Sequence, residues 1–163
     1  MVNKTIYLAG GCFWGVQAFF DYQKGIIKTT VGYAQGDIDN PTYEEVCTGK
    51  TNHTETLKIE FNEKEISLKE ILDLYFSIIN PFLLNQQGND RGTQYRTGIY
   101  SINEYDFTFV KKYLENFQKQ TTQKVVVENE ILKNFFDAEE YHQKYLNKNP
   151  NGYCHIDLSD YKK

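Results

Sequence analysis

Between Ala9 and Trp14 (Ala-Gly-Gly-Cys-Phe-Trp) the hydrophobic pattern of this chain changes period. Lys4 to Ala9 reads as a short β-strand. From Phe13 to about Gln23, Phe13, Val16 and Phe20, helped by Phe19, share one face of a helix. A strand passing through two glycines into a helix is one arm of a β-α-β unit, so the rest of the chain must supply its partners. Cys12 stands where the helix begins. A helix start presents unpaired N–H groups and a partial positive charge, both of which favour an anion. A thiol there is biased toward thiolate, the form that attacks electrophiles. The glycines let the backbone come close to whatever it attacks. A cysteine can equally serve there as a small packed hydrophobe, and this stretch alone leaves both readings standing.

The partners follow in order. Lys24-Gly25 ends the helix, and the β-branched run from Ile26 to Ala34 reads as a strand. Gln35 to Asn52 reads as a long irregular loop, kept in order by Tyr43, Val46 and Cys47 as anchors. His53 to Phe61 alternates cleanly, with Leu57, Ile59 and Phe61 on the apolar face and Glu55 on the same parity. Partial burial would raise the pKa of that carboxyl and suit it to general-acid work. Fraying of the strand end would instead let Glu55 reach water, and parity does not choose between the two. Ser67-Leu-Lys-Glu70 is a capping box. It opens a helix with Leu68, Ile71, Leu72, Tyr75, Phe76 and Ile79 on one face, stopped by Asn80-Pro81.

A polar, glycine-punctuated loop from Asn85 enters a strand expected from about Gln94 to Ile102. A third helix is expected from Glu104 to Gln118, a buried strand from Lys124 to Glu128, and a last helix from Asp137 to near Leu146. The tail from Asn147 to Lys163, carrying Cys154, is turn-rich and expected to be flexible. The order β-α-β, β-α-β and then extra elements predicts an α+β fold. A ferredoxin-like two-layer α/β sandwich with additional C-terminal elements fits it.

Composition narrows the function. At 163 residues the chain, 1–163, reads as a single domain able to bury a real core. A net charge of -4, without a Lys/Arg cluster, argues against a nucleic-acid surface. No signal-like start and no span apolar enough for a bilayer is present, so a cytoplasmic protein, acting as a monomer, is the expectation. Three cysteines in such a chain point to chemistry rather than to a disulfide framework. Paired metal-ligand spacings are absent, so no metal is expected. Cys47 reads as a packed structural thiol and His142 as a helix-surface residue. Cys12 and Cys154 together have the layout of a thiol redox enzyme with a nucleophile and a second thiol, provided their Cα atoms can come within about 7 Å. Phe13 and Trp14 would form an apolar wall suited to a small alkyl group, and Tyr43 and Tyr95 could offer hydroxyls to an oxygen.

Gly11-Cys-Phe-Trp-Gly15 resembles the signature of the A-type peptide methionine sulfoxide reductases. The similarity continues through Val31–Ala34, Pro41–Gly49, His53–Glu55, Leu84–Asp90, Thr93–Tyr100, Ala138–Tyr145 and Asn149–Cys154, nearly the whole chain in order. The resemblance implies Cys12 as nucleophile and Phe13 and Trp14 as the methyl-binding pair. It further implies Glu55 as acid, Tyr43 and Tyr95 as hydroxyl donors, Asp90 as a polar site residue and Cys154 as recycling cysteine. The family's fold is a ferredoxin-like sandwich. Its activity is repair of methionine-S-sulfoxide in proteins, with thioredoxin as the external dithiol reductant and a Cys12–Cys154 disulfide between turnovers. Gln17 stands where glutamate is common, and Asn80-Pro-Phe-Leu83 replaces a more usual Asp-Pro-Thr-Ser. Two rival functions fit part of the residues: a cysteine acyl-transferase, which would need a histidine base, and a peptide-binding module with an aromatic groove. Neither accounts for Glu55 and Cys154 together.

Overall fold

The structure is a computed structural model, described here for residues 3–152. Its strands are β1 (Asn3–Ala9), β2 (Ile26–Ala34), β3 (Thr54–Asn62), β4 (Gln86–Gln87), β5 (Asp90–Arg91), β6 (Gly98–Ser101), β7 (Glu128–Ile131) and β8 (Phe135–Asp137). Its helices are α1 (Phe13–Asp21), α2 (Tyr43–Cys47), α3 (Leu68–Ile78), α4 (Glu104–Lys119) and α5 (Tyr145–Lys148). Six strands form one mixed sheet in the order β7-β6-β1-β3-β2-β8, while β4 and β5 make a separate two-stranded ribbon. All neighbours in the large sheet are antiparallel except β6 and β7. That parallel pair requires a crossover, and α4 provides it.

Alternation sorts the central strand onto two cores. Ile6 and Leu8 of β1 join Val31, Leu57, Ile59, Phe61 and Ile99 in the main core, under α1, α3 and α4. Tyr7 and Ala9 point the other way, to a smaller cluster with Tyr100, Leu132 and Phe135. Phe19 and Phe20 of α1 are fully buried, each contributing roughly 2–3 kcal/mol of transfer free energy. The Ser67 capping box forms as expected, with Ser67 Oγ accepting the Glu70 N–H at 3.1 Å. Behind it α3 buries Ile71, Leu72 and Tyr75. The Tyr75 hydroxyl donates to the Ala9 carbonyl and accepts the Gly98 N–H at 3.1 Å, tying β1 to β6 just before the chain turns at Gly11.

Several expectations are corrected. The loop from Gln35 to Asn52 contains α2, capped by a second reciprocal box between Thr42 and Glu45. Strand pairing on the far side begins at Glu128, opposite Gly98, rather than at Lys124. Val125 and Val126 hydrogen-bond instead to the Gln118 side chain and the Pro81 carbonyl. A 3-10 turn at Thr93–Tyr95 precedes β6, whose start is Gly98 and not Gln94. The single last helix is replaced by β8, a 3-10 turn at Glu140–His142 and the short α5. Gln143 causes that break: its amide donates to the Val31 carbonyl at 2.9 Å and accepts the Val31 N–H at 3.0 Å, and Lys144 follows in a left-handed conformation, φ 56°. Cys154 and the tail beyond Gly152 lie outside the described residues.

Candidate active site

Antiparallel register gathers the expected residues at one edge, where β1 and β2 end and β3 and β6 begin. Ala9 lies opposite Thr56 and Gly98, and Tyr33 opposite Glu55. Beyond Ala9 the chain reverses at Gly11, whose φ of 83° is a conformation that favours glycine. Cys12 follows in extended conformation as the N-cap of α1, 6% exposed.

Glu55 is the least ordinary residue of the edge. It is 1% exposed, and its Oε1 accepts the N–H of Phe13, the first residue of α1, at 3.2 Å. Burial pushes its pKa up to about 8; the Phe13 hydrogen bond opposes the shift, and the charge of Asp90 adds to it. The strand does not fray, and the carboxyl is largely protonated at neutral pH. Its second oxygen, Oε2, is buried and finds no partner among the described residues. The proton therefore has an oxygen whose hydrogen-bonding capacity is unspent.

Tyr43 heads α2 and Tyr95 closes the 3-10 turn. Both phenols are pushed well up, first by burial and then by neighbours. For Tyr95 those neighbours are Glu55, Asp90, Cys12 and Cys47; for Tyr43 they are the Cys47 thiol that it hydrogen-bonds, Glu55 and Tyr95. Both hydroxyls thus remain donors at any physiological pH, among the same acidic groups. Asp90 sits in β5, half-buried. Phe13 is buried against Tyr33, ring centroids 5.7 Å apart, so Trp14 is the accessible part of the aromatic pair.

Three residues of the edge were misread or missed. Cys47 is exposed rather than packed, with its thiol hydrogen-bonded to Tyr43 and Gln94. His142 is fully buried rather than on a helix surface, and its Nδ1 accepts the Trp14 indole N–H at 3.0 Å. Tyr145 stacks on Trp14 with centroids 3.7 Å apart. Gln17 helps to hold Tyr145 there: its Oε1 accepts the Lys144 N–H at 2.7 Å, and Lys144 Nζ pairs with Asp21 at 2.7 Å. No local pattern marks these three, because contacts from distant residues place them: Gln143 and Lys144 are held by Val31 and Gln17. Among the described residues, no group of three or more His, Cys, Asp or Glu could hold a metal ion, and no helix is long and apolar enough to cross a membrane.

A thiol at the head of a helix, a neutral buried carboxylic acid beside it and an aromatic wall, on a mixed α/β sheet, are the equipment of a cysteine-dependent oxidoreductase. Residues 4–163 match the family described as peptide methionine sulfoxide reductase. Peptide methionine sulfoxide reductase MsrA of Ureaplasma urealyticum is 53% identical over 160 residues, covering 98% of this chain and 97% of that protein. The crystal structure of Mxr1 from Saccharomyces cerevisiae in reduced form superposes with a TM-score of 0.88 at 41% identity, covering 93% of this chain and 88% of that one. The same yeast protein in complex with Trx2 matches at a TM-score of 0.64 and 29% identity, covering 88% of this chain and 84% of that one. The chain belongs to the peptide methionine sulfoxide reductase family, and is an oxidoreductase that reduces methionine sulfoxide.

Proposed function

We propose that the chain reduces the sulfoxide through a Cys12 sulfenic acid, with Glu55 as the proton donor. Thiolate at Cys12 attacks the sulfoxide sulfur. The oxygen cannot transfer as a bare oxyanion, so Glu55 Oε2 delivers its proton while the Tyr43 and Tyr95 hydroxyls donate to the developing charge. The oxygen, now protonated, passes to the Cys12 sulfur: the substrate's S–O bond and the bond between the two sulfurs break, methionine departs as the thioether and Cys12 is left as a sulfenic acid. Phe13 and Trp14 receive the methyl group, and Asp90 supplies a polar contact on the same rim. Cys154, outside the described residues, then attacks the Cys12 sulfur; water leaves and a Cys12–Cys154 disulfide forms. An external dithiol of the thioredoxin type reduces it. The yeast relative's complex with Trx2 supports that last step. The observation that carries the reading is the protonated, half-satisfied carboxyl of Glu55 at the helix end that also bears Cys12.

The reading extends to the whole chain. We take 1–163 as one reductase domain, monomeric and cytoplasmic, acting on methionine-S-sulfoxide in oxidised proteins and as the free amino acid. The inner strand order β6-β1-β3-β2, with α1 and α3 as connections, supports the ferredoxin-like description.

The test is a single turnover. Reduced protein mixed with excess methionine sulfoxide, without reductant, should release about one methionine per chain and lose two thiols. Cys12→Ser should abolish the burst, and Cys154→Ser should keep it without forming the disulfide. Absence of methionine from folded protein with either sulfoxide epimer would sink the reading.

A further inference from the structure

Tyr43 stands at the first position of α2, a helix only five residues long. A helix so short gains little from its own hydrogen bonds, so contacts with the rest of the fold must place it. Its cap is internal: Thr42 Oγ1 accepts the Glu45 N–H at 3.1 Å, and Glu45 Oε1 accepts the Thr42 N–H at 2.9 Å. The Tyr43 N–H is not served by that box. It donates instead to Glu139 Oε2 at 2.9 Å, across 96 positions of sequence.

The other oxygen of Glu139 is committed to the strand beside the acid. Oε1 accepts the Tyr33 hydroxyl at 2.8 Å. Tyr33 is fully buried in β2 and lies opposite Glu55 in the register of β2 with β3. One carboxylate therefore spans from the neighbour of Glu55 to the helix that carries Tyr43. Burial by itself would raise the pKa of Glu139. The Tyr43 N–H, its own N–H and the Tyr33 hydroxyl, with the nearby His142, outweigh burial and hold it below the ordinary carboxylate range. The group is ionised at neutral pH, and both of its bonds are charge-assisted. Its own backbone is anchored next door, where the Ala138 N–H donates to the Val31 carbonyl at 2.9 Å and the Ala138 carbonyl accepts the Gln143 amide at 3.0 Å.

We propose that Glu139 is a positioning residue: by bridging β2 to the head of α2, it sets the Tyr43 hydroxyl against Glu55. This rests on the reading of Tyr43 as a donor to the departing sulfoxide oxygen. Stabilisation of a developing charge depends steeply on where the donor stands. In the free protein the Tyr43 hydroxyl bonds the Cys47 thiol, one turn along α2. Sulfur is a weak acceptor, so the hydroxyl can turn from it to the sulfoxide oxygen without giving up a strong bond. That exchange works only while the helix stays where it is, and Glu139 supplies that condition. Losing the carboxylate slows the proton-coupled step and leaves substrate affinity almost unchanged, because it acts through the helix and not on the methyl-binding wall.

The test is a double-mutant cycle on the reduced, full-length protein, in single turnover with methionine sulfoxide and no reductant. Maximal rate and half-saturating sulfoxide concentration are measured for the parent, Glu139→Ala, Glu139→Gln, Tyr43→Phe and the Glu139→Ala, Tyr43→Phe pair. Phenylalanine at 43 deletes the hydroxyl but keeps the N–H that Glu139 holds. Glutamine at 139 keeps an oxygen for that N–H and offers amide hydrogens to the Tyr33 oxygen, without the charge. We expect Glu139→Ala and Tyr43→Phe each to lower the maximal rate by at least about tenfold, with the half-saturating concentration moving less than about twofold. With Tyr43→Phe in place, Glu139→Ala should cost less than about twofold more, because its effect passes through the hydroxyl already removed. Glu139→Gln should recover most of the rate. An equal loss from Glu139→Ala in both backgrounds would show a general structural role and overturn the proposal. So would Glu139→Gln as slow as Glu139→Ala. If Tyr43→Phe slows the reaction while Glu139→Ala does not, the donor reading stands and the positioning role is refuted. If Tyr43→Phe leaves the rate unchanged, the donor reading itself fails and takes the proposal with it.

Discussion

Replacing Glu55 by glutamine separates the two things its burial does. The side-chain oxygen that accepts the Phe13 N–H is kept, but nothing titrates. In the folded protein the carboxyl titrates near 8, against 4.5 for the same group in the open, because burial penalises its ionised form. A shift of that size is worth ~5 kcal/mol between the two protonation states. The pKa is raised on folding, so the associated stability is fully present below the unfolded value and is lost as pH climbs through the folded one. From about pH 4.5 to about pH 8, unfolding free energy of the parent protein should fall relative to Glu55→Gln by ~4 kcal/mol. Urea titrations of both proteins across that window measure it, and the difference between them cancels every other titrating group. Parallel curves would refute the claim that Glu55 is held protonated by burial. At neutral pH the same variant should lose roughly 10²–10⁴-fold of its single-turnover rate, the usual worth of a general acid. A rate left intact alongside the widened stability difference would mean that the buried acid is structural.

Two further substitutions test the frame around the site. Arg96→Lys removes a fork that reaches Glu128 Oε1 at 3.0 Å and the Thr93 and Asn52 carbonyls at 2.9 Å each. A single ammonium cannot serve all three, so urea midpoints should report a loss of ~1–3 kcal/mol, and a loss below about 0.5 kcal/mol would show that the fork holds nothing in place. Gly32→Ala should cost ~1–3 kcal/mol, because a Cβ there would lie 2.5 Å from the Phe136 carbonyl oxygen and would push β8 off β2; an unchanged midpoint would contradict the close approach of the two strands.

What could be read in the sequence was whatever is encoded locally. The period change at Gly10-Gly11, the alternation of β3 and the Ser67 box each state their structure within a few residues, and β1, α1, β2, β3, α3 and α4 follow. The side of the sheet that Glu55 occupies follows from parity, but its isolation from water does not. That depends on α1 bringing the Phe13 N–H to it from 42 positions away. Thr42-Tyr-Glu-Glu45 carried the same box signal as Ser67 and was passed over inside a polar loop, which is why α2 was missed. The segment from Phe135 to Lys148 was misread because its structure is imposed from outside. Gln143 docks on β2 and Lys144 on α1, over sequence separations of 112 and 127 residues. His142 became a buried ring by the same long-range docking, and no local pattern marks it.

Placing the acid and the nucleophile at one helix end has a consequence for the proton they share. A carboxyl in water is ionised at neutral pH and could not give a proton to a departing oxygen; a thiol in water keeps its proton and attacks slowly. Burial lifts Glu55 to about 8, close to the ordinary thiol range of roughly 8.5. Moving a proton between a carboxyl so raised and a thiol is then nearly balanced, instead of opposed by about four pH units. The helix start tips that balance. Its N–H groups favour negative charge at Cys12, while among the described residues Glu55 receives one hydrogen bond on Oε1 and none on Oε2. In the reaction we propose, a single proton transfer, from Glu55 to the sulfoxide oxygen, then accompanies the attack.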